Sequence, residues 1–439
     1  MNSKWCTVLL TTLGLLSAQI SFAQQTFEKA LTVEELFSLV KKNHPTLKTN
    51  KTDIAIANQN VAIAKNQLLP QINTSLQATY LGDVNIIDKD FSTATRVGMP
   101  HFGNRFSVDA TQLIWKGNAV RNGIKIQTLR EQLATLSYEL SEQNIKLLVL
   151  SYYLDLYKLN NQEDVYKNNI DLAVKRLANI NKFYAQGMVT RNDVIRGELQ
   201  ISNLQLALQT LKNDQEIINK QLTVALGLDE NFKIVPSSEL LSGSTTILSK
   251  SQYKELAKNH PSLLLAQKAI GIYDVSSKIT RSEMLPSLSV FAGNNLQRPI
   301  TTANPVVDMY SNSWNIGLTL NLSIDALYKS PKKLQLNALE KTRAINQANE
   351  VSQNIDISLN KAFIKYNEAI TQNKTLKVNT NLTAENYRIM ESKYNNQLAI
   401  LLDLIDASNS KIDSELELAN SEINTIFAYY KLLREAGTL

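Results

Sequence analysis

The sequence predicts an α+β protein made of two copies of one unit, each combining long helices with a pair of strands. The first evidence is a repeated signature, in which Asn-His-Pro is followed 25 positions later by Leu-Pro (Pro45 to Pro70, and Pro261 to Pro286). After the second proline of each copy, the apolar residues change from a helical period to strict alternation. Glycine and proline are also scarce, at 14 and 9 residues, which favours long uninterrupted elements.

Residues 1–23 have the pattern of a secretory signal peptide. Lys4 supplies the positive charge, residues 8–16 are apolar, and Ser21-Phe22-Ala23 provides a small-x-small cleavage site. A buried N-terminal helix is the alternative. The single cysteine, Cys6, falls inside this segment, so we expect a mature protein without disulfides or thiol chemistry.

Charge and hydropathy argue against two classes of protein. The net charge is +6, and the basic residues are spread along the chain without a long run, so nucleic-acid binding is not expected. No segment after residue 23 reaches the run of about 18 consecutive apolar residues that a membrane-spanning helix needs.

The first repeat is predicted over residues 24–240 and opens with helices at 24–42 and 46–69. Alternating polar and apolar residues then predict strands at 71–82 and 105–115. A strand of about ten to twelve residues spans roughly 33–40 Å, the length that a tilted transmembrane β-strand needs.

Long helices follow the strands of the first repeat. Residues 118–186 contain a seven-residue repeat of leucines and almost no helix breaker, which is typical of a coiled coil. Gly187 ends this helix, and a return helix is predicted over 190–226 before Gly227. A serine-rich connector at 228–250 separates the two repeats.

The second repeat is predicted over residues 241–439 on the same plan. Its strands are expected at 287–297 and 313–325, and the second of these has the cleanest alternation in the chain. A long helix is predicted over 332–396 and a return helix over 400–435.

Four membrane-length strands are too few to close a barrel, since about eight strands enclose even a small core. An open sheet edge in lipid leaves backbone groups without partners, so the strands must be shared among protomers. The alternative is a soluble antiparallel sheet in a secreted or periplasmic structural coiled-coil protein that has no pore.

The duplicated unit resembles the TolC-type outer-membrane efflux proteins over residues 26–437. The most specific parts are the two helix reversals, where Tyr184 and Asp193 of the first repeat match Tyr394 and Asp403 of the second at an offset of 210 positions. The resemblance implies a two-repeat protomer and a homotrimer whose four strands per chain form a 12-stranded β-barrel in the outer membrane.

The same resemblance implies the role and partners of the protein. It would be a passive channel-tunnel for efflux or type I secretion in a Gram-negative cell, crossing the periplasm and the outer membrane with its lipid. A periplasmic membrane-fusion adaptor and an inner-membrane pump of RND or ABC type would dock at its periplasmic end. No enzymatic activity and no cofactor are expected.

The resemblance also assigns roles near the gate. Asp403 and Asp406 would line the pore constriction, although acidic residues near a helix N-terminus also simply favour the helix dipole. Tyr394 and Asp193 match positions that hold neighbouring helix pairs together in the closed gate, and ordinary surface positions are the alternative.

The periplasmic hairpin tip at Gly187, Met188 and Val189 would face the adaptor, and a plain helix-hairpin turn is the simpler interpretation. Two departures from the family pattern concern the gate. Ala399 stands where the family often has arginine, and Gln397 stands where it usually has glycine. We therefore expect a gate that is held differently or more loosely.

No residue pattern indicates catalysis or metal binding. His44 and His260 precede prolines at the duplicated helix breaks, which predicts structural turns rather than a metal site, and His101 is the only other histidine. No phosphate-binding loop, nucleophile elbow or Ser/His/Asp arrangement is present.

Overall fold

The computed structural model describes residues 27–229, 231–237, 248–303 and 306–439. The predicted signal peptide with Cys6, and part of the predicted connector, lie outside these ranges. The chain forms two compact units. The helical unit contains the described residues up to 51, together with 138–261 and 352–439, and the sheet unit contains 52–137 and 262–351.

The secondary structure of the first half follows the order strand, two helices, four strands and two long helices. These elements are β1 (Phe27–Leu31), α1 (Val33–Asn43), α2 (Pro45–Asn66), β2 (Gln71–Tyr80), β3 (Val84–Ile87), β4 (Ala94–Val97), β5 (Phe102–Trp115), α3 (Ala119–Ala185) and α4 (Arg191–Leu226).

The second half repeats the order of its main elements. They are β6 (Phe232–Pro236), α5 (Lys250–Leu256), a 3₁₀ turn (Ala257–Asn259), α6 (Pro261–Ser282), β7 (Ser287–Arg298), β8 (Ser311–Asn321), α7 (Ile324–Asn395) and α8 (Leu401–Glu435).

The sheet unit is built on one antiparallel sheet of four strands in the order β2-β5-β7-β8. This confirms the α+β fold class and the strand pair in each half. Strand β8 ends at Asn321 rather than at the predicted residue 325, because helix α7 already begins at Ile324. The alternation of Leu322 and Ile324 was thus a misleading signal at the strand-to-helix junction.

The sequence prediction missed two small sheets. In the helical unit, β1 pairs in parallel with β6, although the sequence predicted a helix from residue 24 and a plain connector after residue 228. In the sheet unit, β3 and β4 form an antiparallel hairpin inside the predicted polar loop 82–104. Both consist of strands of four or five residues, which are too short for alternation to stand out.

The long helices agree with the prediction except at one boundary. Helix α3 has 67 residues and α7 has 72, as expected from the scarcity of glycine and proline. Helix α7 begins at Ile324, so Pro331 lies inside it rather than just before it. The predicted start at residue 332 was therefore too late along the chain.

The duplicated Asn-His-Pro sequences form the same backbone turn. His44 and His260 each cap the preceding helix, with φ −59° in both and ψ of 126° and 129°. Burial lowers the pKa of both imidazoles. The predicted structural role of these histidines agrees with this geometry.

Three apolar clusters stabilise the helical unit. The first packs α1 and β1 against α3 and α4, and the second packs α5 against α7 and α8. The third lies beside the two helix reversals, where α3, α4, α7 and α8 come together. This third cluster, which we call the tip cluster, positions the candidate site. It contains Ile180, Val194, Tyr387, Tyr394, Leu401 and Leu404.

Candidate functional site

Two helix hairpins of the helical unit end in turns of the same construction. The N–H of Met188 donates to the carbonyl of Phe183 at 2.9 Å, and the N–H of Leu398 donates to the carbonyl of Lys393 at 2.8 Å. These hydrogen bonds close the ends of α3 and α7 in the manner of a Schellman motif. The turns are 210 positions apart (188 to 398), which matches the offset found in the sequence.

Gln397 adopts the left-handed conformation that glycine adopts in the other turn. Its φ is 62°, against 73° at Gly187. A side chain with a Cβ pays roughly 1–2 kcal/mol for this conformation, whereas glycine does not. The departure from glycine at Gln397 therefore leaves the turn intact but strained.

The two first-turn aspartates of the return helices differ in their partners. Asp193 forms a capping box with Thr190, whose N–H and hydroxyl both donate to Asp193 Oδ2, at 2.8 and 2.7 Å. At the corresponding cap of α8 stands Ile400, which has no side-chain cap hydrogen bond. Because Ile400 carries no hydroxyl group, the carboxylate of Asp403 is not held in a capping box.

Asp403 and Asp406 lie on the same face of α8, one helical turn apart. Both are exposed. The opposite face is buried in the tip region through Leu401, Leu404 and Ala407. In the described part of the chain neither aspartate forms an ion pair, so each carboxylate faces solvent without a basic partner.

Tyr394 is buried in the tip cluster at 6% exposure and packs edge-on against Phe183, with ring centroids 6.2 Å apart. Burial raises the pKa of its hydroxyl, and the negative charge of Asp193 raises it further. The hydroxyl makes no hydrogen bond within the described chain. The structure thus brings Tyr394 and Asp193 into electrostatic range but forms no hydrogen bond between them.

A buried arginine ties the four long helices together beside the tip cluster. Arg176 of α3 is 8% exposed and donates to Gln200 Oε1 of α4 at 2.8 Å. Its other terminal nitrogen donates to the Tyr387 hydroxyl of α7 at 3.0 Å and to Ser408 Oγ of α8 at 3.1 Å. The hydroxyl of Tyr387 donates in turn to Glu391 at 2.8 Å.

Sequence reasoning missed this cluster. The available signal was the position of Arg176 on the apolar stripe of α3, three residues after Ala173 and four before Ile180, both of which are buried. An arginine on such a stripe needs buried acceptors, but the acceptors come from three other helices and leave no local trace in the sequence.

The surface of the two turns is partly apolar. Gly187 and Met188 are exposed, and Val189 packs against the tip cluster. In the second turn Leu398 is 77% exposed and Ile400 is 62% exposed. Gln397 Nε2 contacts the Met188 sulfur at 3.9 Å, so the two turns adjoin each other.

Within the described ranges no three His, Cys, Asp or Glu side chains cluster in a way that would hold a metal ion. None of the helices that the structure describes combines the length and apolar character of a membrane-spanning helix.

Comparison with known proteins finds similarity to outer membrane efflux proteins. The family model for outer membrane efflux proteins matches residues 36–228. The outer membrane efflux protein BepC of Brucella suis is 22% identical over 442 aligned residues, covering 99% of this chain and 91% of that protein. The TolC-type resemblance seen in the sequence is thereby confirmed.

Solved structures share the fold of this chain. VceC of Vibrio cholerae superposes with a TM-score of 0.75 at 14% identity, covering 92% of this chain and 96% of VceC. The CmeC outer membrane channel of Campylobacter jejuni gives a TM-score of 0.74 at 15% identity, with coverages of 92% and 85%.

The family consists of trimeric outer-membrane channels that work with efflux systems, not of enzymes. The predicted outer-membrane location and the absence of an enzymatic role are confirmed at this level. The gate residues and the individual partners of the protein stay predictions.

Proposed function

We propose that the protein is the outer-membrane channel of a tripartite efflux or type I secretion system, working as a trimer with a periplasmic gate lined by aspartates. The observation that carries the proposal is the four-stranded sheet, whose outer strands β2 and β8 each have an edge with no partner strand among the described residues. Lipid does not tolerate such edges, and three chains supply twelve strands that can close on one another.

One face of this sheet has the character of a lipid-facing surface. Leu76 is 81% exposed, Trp314 is 78% exposed and Leu318 is 69% exposed. The register places apolar side chains of all four strands on this face, and the other face is mostly polar. An exposed apolar face on a soluble sheet would be an aggregation hazard, whereas in a membrane barrel it contacts the acyl chains.

Asp403 and Asp406 would form the charged constriction of the periplasmic gate. In a trimer the two positions supply six carboxylates, and a ring of like charges attracts cations and repels anions. The structure supports this role because both side chains are exposed and because Ile400 leaves Asp403 outside any capping box. Asp193 is the counterpart of Asp403 in the first repeat, and its carboxylate is held in a capping box with Thr190.

The Arg176 cluster would hold the gate helices in register. The guanidinium of Arg176, which lies on α3, donates hydrogen bonds to side chains of α4, α7 and α8. A movement of α7 and α8 away from α3 and α4 would break at least two of these hydrogen bonds. We propose that this cluster, rather than a Tyr394–Asp193 hydrogen bond, fastens the two hairpins of each protomer.

The exposed apolar side chains of the turns would meet the membrane-fusion adaptor. Met188, Leu398 and Ile400 present exposed apolar side chains at the two turns. The adaptor would link the channel to an RND-type or ABC-type pump, and the pump would select the cargo.

Planar-bilayer recording tests the proposal. We expect the purified protein to form stable cation-preferring pores, and Asp403→Ala with Asp406→Ala to weaken both the cation preference and the block by multivalent cations. Asp413→Ala on the same helix is the matched control, since Asp413 lies more than one turn beyond the candidate ring. A protein that forms no pore and fractionates as a soluble periplasmic component would instead be the structural coiled-coil protein.

A further inference from the structure

The four strands of the sheet carry very few charges. Their described residues include only three charged side chains, Arg105, Asp109 and Arg298. Arg298 lies at the end of β7 and forms an ion pair with Asp308 at 2.7 Å. Arg105 and Asp109 both lie on β5, and both point to the face opposite the apolar one, because they alternate with Phe106, Val108 and Ala110.

Asp109 lies in a recess that a glycine creates. The residue paired with Asp109 in β7 is Gly293, and the residue paired with Gly293 in β8 is Asn315. A methyl group at Gly293 would come within 2.7 Å of Asp109 Oδ1 and within 3.1 Å of Asn315 Oδ1. The carboxylate of Asp109 therefore extends across β7, and Ser107 Oγ donates to its other oxygen at 2.9 Å.

Arg105 forms the second charged position on this face. Its guanidinium donates to Gln297 Oε1 at 3.0 Å. Arg105 is four residues from Asp109, which is about 13 Å along the strand and longer than the Debye length at physiological salt. Across the described chain neither side chain has an ion-pair partner, so the two charges are not neutralised locally.

The other side chains of this face are neutral. They are mainly serine, threonine, asparagine and glutamine, with Phe291 over Gly317 as the aromatic exception. One acidic and one basic side chain per protomer thus dominate the electrostatic potential of the polar face.

We infer that Asp109 and Arg105 form a second charge filter in the wall of the β-barrel, separate from the aspartates of the periplasmic gate. This inference rests on the proposed trimer, in which the polar face lines the lumen. Three Asp109 carboxylates then form one layer, and three Arg105 guanidinium groups form another layer nearer the β3–β4 end of the sheet. The first layer concentrates cations and the second concentrates anions.

The two layers make opposite contributions to selectivity, so the two substitutions should shift the permeability ratio in opposite directions. Asp109→Asn leaves the arginines as the barrel charges, so the cation-to-anion permeability ratio should fall by about twofold at low salt. Arg105→Gln leaves the aspartates and should raise that ratio by a similar factor. Both shifts should shrink at high salt, since the Debye length falls from about 30 Å at 0.01 M to about 3 Å at 1 M.

Reversal potentials in KCl gradients measure this ratio, once with 10 mM and once with 1 M salt on the dilute side. The variants should be made in an Asp403→Asn, Asp406→Asn background, so that the gate does not mask the barrel. Asn73→Ser is the matched control, because Asn73 is paired with Asp109 on the same face and is neutral. Asp109→Glu keeps the charge and should keep the wild-type ratio.

The outcomes distinguish a failure of the proposed filter from a failure of the proposed channel. Pores of normal conductance whose reversal potential is unchanged in both Asp109→Asn and Arg105→Gln would overturn the filter and leave the channel proposal standing. The absence of pores in the background protein would overturn both. If Asp109→Asn does not assemble, Arg105→Gln alone tests the filter, through the expected rise of the cation-to-anion permeability ratio.

Discussion

Replacing Arg176 by methionine should loosen the periplasmic end of the helical unit. Methionine keeps most of the side-chain volume but removes all donors of the guanidinium. Gln200, Tyr387 and Ser408 then lose a hydrogen bond from a charged group. Tyr387 keeps its bond to Glu391, so only part of the network is lost.

The expected magnitude follows from the burial of these acceptors. Ser408 is 5% exposed and has no easy access to water, so its lost bond should cost about 1 kcal/mol. The lost bond to Tyr387 adds a similar amount, while Gln200 lies beside an open cleft of about 520 Å³ and can bind water instead. Removing a buried charge returns part of its desolvation energy, so we expect a net destabilisation of about 1–2 kcal/mol.

The assay has a stability readout and a gate readout. Urea titration of the detergent-solubilised protein, followed by circular dichroism, should show a lower midpoint for Arg176→Met. Bilayer recording should show a higher resting conductance, because the helix pairs separate more easily. Lys175→Met is the matched control, since Lys175 forms an exposed ion pair with Asp171, and such pairs contribute about 0–1 kcal/mol. An Arg176→Met protein that equals Lys175→Met in both readouts would refute the role of the cluster.

Three further substitutions test the second helix reversal and the duplicated Asn-His-Pro turn. Ile400→Thr should draw Asp403 into a capping box, which stabilises α8 and weakens the cation block measured in bilayers; an unchanged block would contradict this. Gln397→Gly should raise the free energy of unfolding by about 1 kcal/mol, because glycine adopts the left-handed turn without strain; a lower urea midpoint would count against it. Burial, aided by the positive charge of Arg434, lowers the pKa of His260, so the folded state resists protonation of this imidazole. Its stabilising contribution is therefore complete above the ordinary pKa of 6.5 and is lost as the pH falls toward the lowered value. His260→Gln should reduce the change of the melting temperature with pH between pH 7.5 and pH 5. An unchanged pH dependence would contradict this.

The main elements could be predicted because their signals are local. Alternation over ten or more residues marked all four strands of the sheet, and the lack of glycine and proline marked α3 and α7. The position of the turn at Gly187 and its counterpart at Gln397 followed from the repeat offset.

The features that escaped prediction depend on partners distant in sequence. Strand β1 pairs with β6 about two hundred residues away, and five-residue strands carry no reliable period of their own. The acceptors of Arg176 lie on three different helices. The different environments of Asp193 and Asp403 depend on one capping side chain, which sequence reasoning did not compare between the repeats.

Covalent trapping of the β2–β8 contact between protomers tests the central claim most directly. One cysteine is placed in β2 at Ser75 and a second is scanned along β8 from Ser313 to Thr319, in a protein whose only native cysteine, Cys6, lies in the predicted signal peptide. We expect mild oxidation to yield covalent trimers at one register, and no covalent dimers when a cysteine in β5 replaces the one in β2. Chains that remain monomeric at every register, in membranes where the protein is intact, would contradict the shared barrel.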